Sequence, residues 1–149
     1  MRIEQVDWHH PDASALRAGQ RAEIARRYGT DDSEPGVPPS ADDIAVFLVA
    51  YADDGSPIAC GALRDLDAGT GEIKRMYVDP PARGSGAASL VLAALEDRAR
   101  ARNLTRLRLE TGDNQPDAVR FYTRSGYRRI PNFGPYADVA ASQCYEREL

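Results

Sequence analysis

Residues 78–90 read VDPPARGSGAASL, an arginine, two glycines and small side chains spaced to hold an anion. Gly84 and Gly86 admit positive φ and let another group approach the backbone closely. If a helix opens here, the N–H groups of Arg83, Ser85, Ala87, Ala88 and Ser89 are orphan donors at the positive end of its dipole. Such an end favours a phosphate, and the Arg83 guanidinium adds a full charge and a two-pronged donor. An ordinary strand-to-helix turn has the same composition, so both readings stand at this point. A Walker loop is excluded, because no lysine follows the glycines. A dinucleotide fingerprint fits in part, as Gly84-x-Gly86-x-x-Ser89 followed by a strand ending at Glu110. It is the weaker fit: serine takes the third glycine's place, and DPPAR separates the strand from the glycines.

Other chemistries find little support. His9 and His10 are the only histidines, adjacent to one another near Pro11, and there is no CxxC, so no zinc set and no metal is expected. A Ser-His-Asp triad would have to recruit one of that pair. Cys60 and Cys144 lie in apolar, strand-like contexts and read as buried free thiols. Residues 1–74 carry 7 basic and 14 acidic side chains and residues 75–149 carry 12 and 9, a net −7 against +3. That asymmetry suits an anionic ligand on the second half. The five arginines of RARARNLTRLR (98–108) spread over more than one helix face without interleaved aromatics, so they read as a solvated face and no nucleic-acid partner is expected. No run approaches a membrane span and the N-terminus lacks a signal-like apolar core, which makes a cytoplasmic protein the expectation.

The elements that must position these residues follow from pattern. Length and the 42% hydrophobic and 28% charged composition suit one globular domain over residues 1–149. RIEQVD (2–7) alternates as a strand, and residues 11–29 read as a helix with Leu16, Gln20 and Ile24 at helical spacing and Gly29 as its stop. TDDSEPGVPPS (30–40) is a loop by composition. IAVFLVAYA (44–52) and PIACGALRDL (57–66) form a hairpin about DDGS, and EIKRMYV (72–78) continues the sheet. A helix from the glycines to about Asn103 presents Leu92, Leu95 and Ala99 on one face. TRLRLET (105–111) is a strand, and residues 116–126 a helix with Pro116 in its first turn and Gly126 as its stop. Two short strands close the chain around PNFGPYADVAAS (131–142). The order βα(α)βββαβαββ predicts an α/β fold, a mixed sheet with helices on both faces.

Here two motifs carry a resemblance. Arg83-x-x-Gly86-x-Ala88, following MYVDPPA, resembles the acyl-CoA pyrophosphate motif Arg/Gln-x-x-Gly-x-Gly/Ala of the GNAT N-acetyltransferases. NQPDAVRFYTRSGY (114–127) is similar to that family's Asn…Ala-x-x-Phe/Leu-Tyr-x-x-x-Gly-Tyr/Phe segment, in order and on the expected element types. The resemblance covers residues 44–130 well and the N-terminal helix only in outline. It implies the GNAT acyl-CoA N-acyltransferase fold, with acetyl-CoA as co-substrate and direct transfer to a primary amine. By family analogy, a homodimer through the closing strands is the suggested oligomer.

The resemblance also implies roles. The backbone from Arg83 through Ala88 would hold the pyrophosphate, with Ser89 as a hydroxyl donor. Met76, Tyr77 and Val78 would hold the pantetheine, an N–H near Tyr77 or Val78 polarising the thioester carbonyl. Pro80 and Pro81 end strand pairing where the substrate must enter. Tyr122 is the candidate general acid, since a thiol's pKa of about 8.5 lies below a phenol's of about 10; beside Ala118 and Phe121 it also reads as a packing aromatic. Glu72 stands where several members of the family carry a catalytic glutamate, and Glu110 is the second candidate base. Asn114 would touch the pantetheine or cap the helix after it. The acidic loop around Asp31, Asp32 and Glu34 and the loop with Phe133 and Tyr136 would flank the acceptor. An acyl-CoA-binding module without turnover and a dinucleotide-binding domain remain as alternatives from other classes.

Overall fold

A computed structural model describes residues 1–30, 32–67 and 69–149 of the chain. The elements are β1 (Arg2–Gln5), α1 (Pro11–Tyr28), β2 (Ile44–Tyr51), β3 (Pro57–Asp65), β4 (Thr70–Val78), α2 (Ala87–Ala101), β5 (Arg106–Gly112), α3 (Pro116–Arg124), β6 (Arg128–Ile130) and β7 (Ser142–Glu148). Short 3-10 turns cover Pro80–Ala82 and Gly134–Tyr136. No second helix lies among the described residues between α1 and β2, so the optional helix of the predicted order is absent. None of the helices is long and apolar enough to cross a membrane, among the described residues.

The strands form one seven-stranded sheet in the order β1-β2-β3-β4-β5-β7-β6. Among the described residues its only parallel pairing is β4 with β5. β2 shows why the apolar runs are unbroken rather than alternating with polar residues. Val46, Leu48 and Ala50 join the core beneath α2, while Phe47, Val49 and Tyr51 join a second core beneath α1. A strand covered on both faces needs apolar residues at every position. α2 contributes Ala87, Val91, Leu92, Leu95 and Ala99, spaced three and four apart along one stripe. α1 buries only Ala13, Leu16 and Arg17 fully, all in its first half.

The β3–β4 ladder is interrupted once. Cys60 pairs with Tyr77 and Ala62 with Lys74, so Gly61 alone faces Arg75 and Met76. Arg75 takes φ 58°, the left-handed conformation of a bulge residue. Gly61 makes room for this bulge: a Cβ there would lie 2.5 Å from Met76 Sδ and 2.9 Å from both Val91 Cγ1 and Leu95 Cδ1. The Gly61→Ala variant is therefore expected to lose about 1–3 kcal/mol through overpacking between β4 and α2. Denaturant melts check this, and a variant as stable as the parent would refute the packing account.

Candidate active site

β4 and β5 pair only at Thr70↔Arg106, Gly71↔Leu107 and Glu72↔Arg108, then separate. A cavity of about 510 Å³ opens between them, walled by α1, β4, the end of β5, α3 and the two long loops. The cavity exists because each strand remains paired on its other side, β4 with β3 and β5 with β7 over all seven of its residues.

The edge of β4 facing the gap can be read from the ladder. Asp79 N–H donates to Ile58 O at 2.8 Å, which makes Ile58 and Asp79 a hydrogen-bonded pair. By antiparallel alternation Cys60 and Tyr77 are the next such pair, so Val78 turns its N–H and C=O away from β3. Two contacts agree with that orientation. Val78 O accepts from Arg83 Nε at 3.0 Å, and Met76 O accepts from Gln20 Nε2 of α1 at 2.9 Å. Tyr77 faces β3 with its backbone and packs its ring in the core beneath α1. Of the three residues named from the motif, Met76 and Val78 thus face the gap. Pro80, lacking an N–H, ends the ladder immediately after Asp79.

The glycine turn has the conformation its sequence suggests. Gly84 and Gly86 take φ of 81° and 88°, and Gly86 caps α2 without any side-chain hydrogen bond. Ala87 N–H meets only the Ser85 hydroxyl at 3.4 Å, and Ser85 N–H bonds Ala82 O. Among the described residues, the N–H groups of Gly84, Gly86, Ala88 and Ser89 donate to no protein group. Donors clustered at a helix N-terminus form an anion cradle. The Arg83 side chain does not point into this cradle. It lies back over β4 and forms an ion pair with Glu23 of α1 at 2.7 Å.

Tyr122 of α3 and Glu110 of β5 both line the cavity. Tyr122 is 6% exposed, its ring packs on Phe121 and Tyr127, and its hydroxyl has no hydrogen-bond partner among the described residues. Burial alone pushes its pKa above the ordinary phenol value. Burial also raises Glu110, against the hydrogen bond it accepts from Ser142 Oγ at 2.6 Å and the nearby charge of Lys74.

Glu72 is placed differently. It is 1% exposed and lies outside the cavity lining, its oxygens accepting from Arg64 Nε at 2.9 Å and from the Tyr136 hydroxyl at 2.7 Å. Both oxygens are thus occupied within an ion pair in the core. Asn114 does not cap α3. Its Nδ2 donates to Arg27 O at 3.1 Å and its N–H to the Tyr28 hydroxyl at 3.2 Å, tying it to the end of α1. Gln115 stands at the start of α3, with no side-chain cap.

The acidic loop reaches the site through Asp32 and Glu34, which line the cavity; Asp31 lies outside the described residues. Glu34 pairs with Lys74 and Arg75. Lys74 Nζ lies 2.9 Å from Glu34 Oε1, so that buried oxygen has a charge partner. Burial works to raise the Glu34 pKa, but Lys74 and Arg75 outweigh it and hold the carboxyl below its ordinary range. Tyr136 is fully buried, donating to Glu72 and accepting from Lys74, with Phe133 edge-on at 5.2 Å. The loop reaches the cavity instead through Val139 and Ala141. The arginines at 98–108 are engaged individually: Arg100 with Asp97, Arg102 with Asp65, Arg106 with Glu148, Arg108 with Glu146 and Arg98 with Gln5. The sequence named Gln20 only for its helical spacing and did not single out Ser142 or the Lys74–Tyr136 contact. The signal for Gln20 was an amide on the apolar stripe of α1.

Residues 8–127 match the model of the acetyltransferase (GNAT) family. An IAA acetyltransferase of Azospirillum brasilense is 40% identical over 104 residues, 69% of this chain and 67% of that protein. A Klebsiella pneumoniae structure described as an acyl-CoA N-acyltransferase is 33% identical, with a TM-score of 0.84 over 99% of this chain and 97% of its own. The PaiA N-acetyltransferase of Thermoplasma acidophilum, solved in complex with coenzyme A, is 18% identical, with a TM-score of 0.73 over the whole of both chains.

The cavity charges give a test of the loop's attachment. Glu34 has a folded-state pKa below its unfolded one, so its contribution is present above the ordinary carboxylate value of 4.5 and lost as pH falls through its depressed value. Glu34→Gln should cost about 1–3 kcal/mol at neutral pH. The difference from the parent should shrink with acidification below pH 4.5, as read by melts across pH. A difference independent of pH would show that the ion pairs do not hold the loop.

Proposed function

Because the chain belongs to the acetyltransferase (GNAT) family, we propose that it transfers the acetyl group of acetyl-CoA directly to the primary amine of a small molecule or peptide, both substrates being bound together. The observation that carries this reading is the convergence of Tyr122 and Glu110 on one cavity, beside the open edge of β4. The names of the Azospirillum and Klebsiella relatives support acetyl-CoA as the donor. The glycine turn would take the pyrophosphate on the N–H groups of Gly84, Gly86, Ala88 and Ser89. The arm would then lie along Met76 and Val78 with its thioester toward the cavity.

The amine nitrogen attacks the thioester carbonyl carbon, a C–N bond forms, and charge gathers on the carbonyl oxygen. Backbone N–H groups on the β4 edge are the donors available to that oxygen. As the C–S bond breaks, the departing thiolate takes the Tyr122 proton. A phenol begins at about 10 against a thiol's 8.5 and burial raises Tyr122 further, so it is protonated as the C–S bond weakens. Because this makes it the weaker acid, the transfer completes as the proton shed by the amine returns to the phenolate. The amine sheds its proton toward Glu110, directly or through a water. Even a raised carboxyl lies several units below an alkylammonium at about 10.4, so desolvation of the bound amine must supply most of the difference. The products are an amide and free CoA thiol.

One observation favours a second reading, an acyl-CoA-binding module without turnover: Glu72, at the position of a family base, is sealed in the core. Thiol release separates the two. With an amine panel and acetyl-CoA, the enzyme reading expects free thiol to accumulate with at least one amine, and the module reading expects none. Tyr122→Phe and Glu110→Gln should each lower kcat about 10²-fold with acetyl-CoA affinity nearly unchanged. Glu110 must be deprotonated to act and its pKa is raised above 4.5, so kcat/KM should fall with acidity above the usual carboxylate range. Glu110→Gln should remove that limb. Parental rates in both variants would defeat the mechanism.

A further inference from the structure

The hydrogen bond from Gln20 Nε2 to Met76 O joins residues 56 apart in sequence and lies at the wall of the cavity. It is made at the β-bulge, where the β3–β4 ladder supplies no regular partner for Arg75 and Met76. We propose that Gln20 is a positioning residue for acetyl transfer: it holds the Met76 carbonyl of the bulge, so that the open edge of β4 presents N–H donors to the thioester. This rests on the acetyltransferase reading and adds a residue that does not react.

Three observations converge on it. First, the gap-facing carbonyls of Met76 and Val78 both accept from side chains, Gln20 and Arg83, at 2.9 and 3.0 Å. With these two acceptors engaged, the Val78 N–H, turned away from β3, is left to donate into the gap, the polarity that a developing oxyanion requires. Second, the bulge is a soft place in the strand. Arg75 at φ 58° is in a conformation that neighbouring contacts must hold, and the Met76 carbonyl, opposite the Tyr77 N–H in the same peptide, points into the gap where only a side chain can engage it. An uncapped Met76 carbonyl turned toward the substrate would set its negative end against the charge that forms during transfer.

Third, α1 is brought close to β4 at this point. Gly19 sits in the middle of an 18-residue helix, where glycine costs about 1 kcal/mol relative to alanine. A Cβ on Gly19 would lie 2.9 Å from the Tyr77 hydroxyl. The missing side chain therefore lets the helix seat directly on β4, and the next residue is the one that reaches the bulge. Gly19 and Gln20 together act as a spacer and a clamp.

The test uses the full chain with acetyl-CoA and an amine found in the thiol-release screen. Gln20→Met keeps the length and packing of the side chain but has no donor. It should lower kcat about 10²-fold, the scale of a displaced reacting group, with the acetyl-CoA dissociation constant within about threefold of the parent. Gln20→Glu gives an independent readout should Gln20→Met fold poorly. A carboxyl donates only when protonated, so the ratio of its kcat to the parental kcat should rise as pH falls. Parental kcat in Gln20→Met, or a loss carried wholly by acetyl-CoA affinity or by melting temperature, overturns the positioning role, as does a Gln20→Glu ratio that is flat with pH. A parental protein that releases no thiol with any amine defeats the acetyltransferase reading itself, whereas a working parent with an unimpaired Gln20→Met defeats the positioning role alone.

Discussion

The rest of the molecule depends on two parallel strands that pair for three residues and then part. An open strand edge inside a fold carries unpaired N–H and C=O groups, and each must find a partner or remain available to a ligand. Here the division is specific. On β4 the carbonyls of Met76 and Val78 are taken by Gln20 and Arg83, and Pro80 ends the ladder by lacking a donor. On the opposite side β5 is held straight by β7. Each half-sheet is paired through its own ladder, and the gap between them becomes a cavity that α1, α3 and the loops enclose.

Beneath the gap the interior is filled by charge rather than hydrocarbon. Arg64, Glu72, Lys74 and Tyr136 form a connected buried set, extended outward by Asp43 and Glu34. Buried ions are weak contributors to stability but punish any arrangement that leaves one unpaired. Glu34 and Tyr136 come from two long loops, residues 32–40 and 131–141, whose sequences alone give them little reason to settle. Arg64 also donates to Val37 O at 3.3 Å, and Gly36 lies so close to Pro135 that a Cβ would be 2.8 Å from its ring. The placement of these loops thus follows from satisfying charges on β3 and β4.

What was legible in the sequence was local. The glycine turn, the apolar strands and the helix carrying Tyr122 rest on neighbours within a few residues, and each formed where its pattern placed it. What was not legible depended on distant partners. Arg83 had the composition of a phosphate ligand, but its charge is met by Glu23, sixty positions earlier and one helix away. Asn114 looked like a cap for the helix that follows it, and instead closes the end of α1, 87 residues back. Glu72 and Glu110 are indistinguishable as strand carboxylates. Their environments separate them, since one is enclosed by Arg64 and Tyr136 and the other faces the cavity with a single serine donor.

The charge asymmetry of the chain acquires a different meaning in this light. An excess of arginine in the second half suggested that side-chain cations would hold an anion. Arg100, Arg102, Arg106 and Arg108 are instead engaged by carboxylates of α2, β3 and β7, and Arg83 itself is paired. The groups left without partners at the glycine turn are backbone N–H donors. Fixed dipoles have advantages over mobile cations for this purpose. They lose no side-chain entropy on binding, and their directions are set by Gly84, Gly86 and the axis of α2. An anion held this way is fixed in orientation as well as position. That orientation is what a long, flexible donor needs if its far end is to meet Tyr122 and Glu110 across the gap.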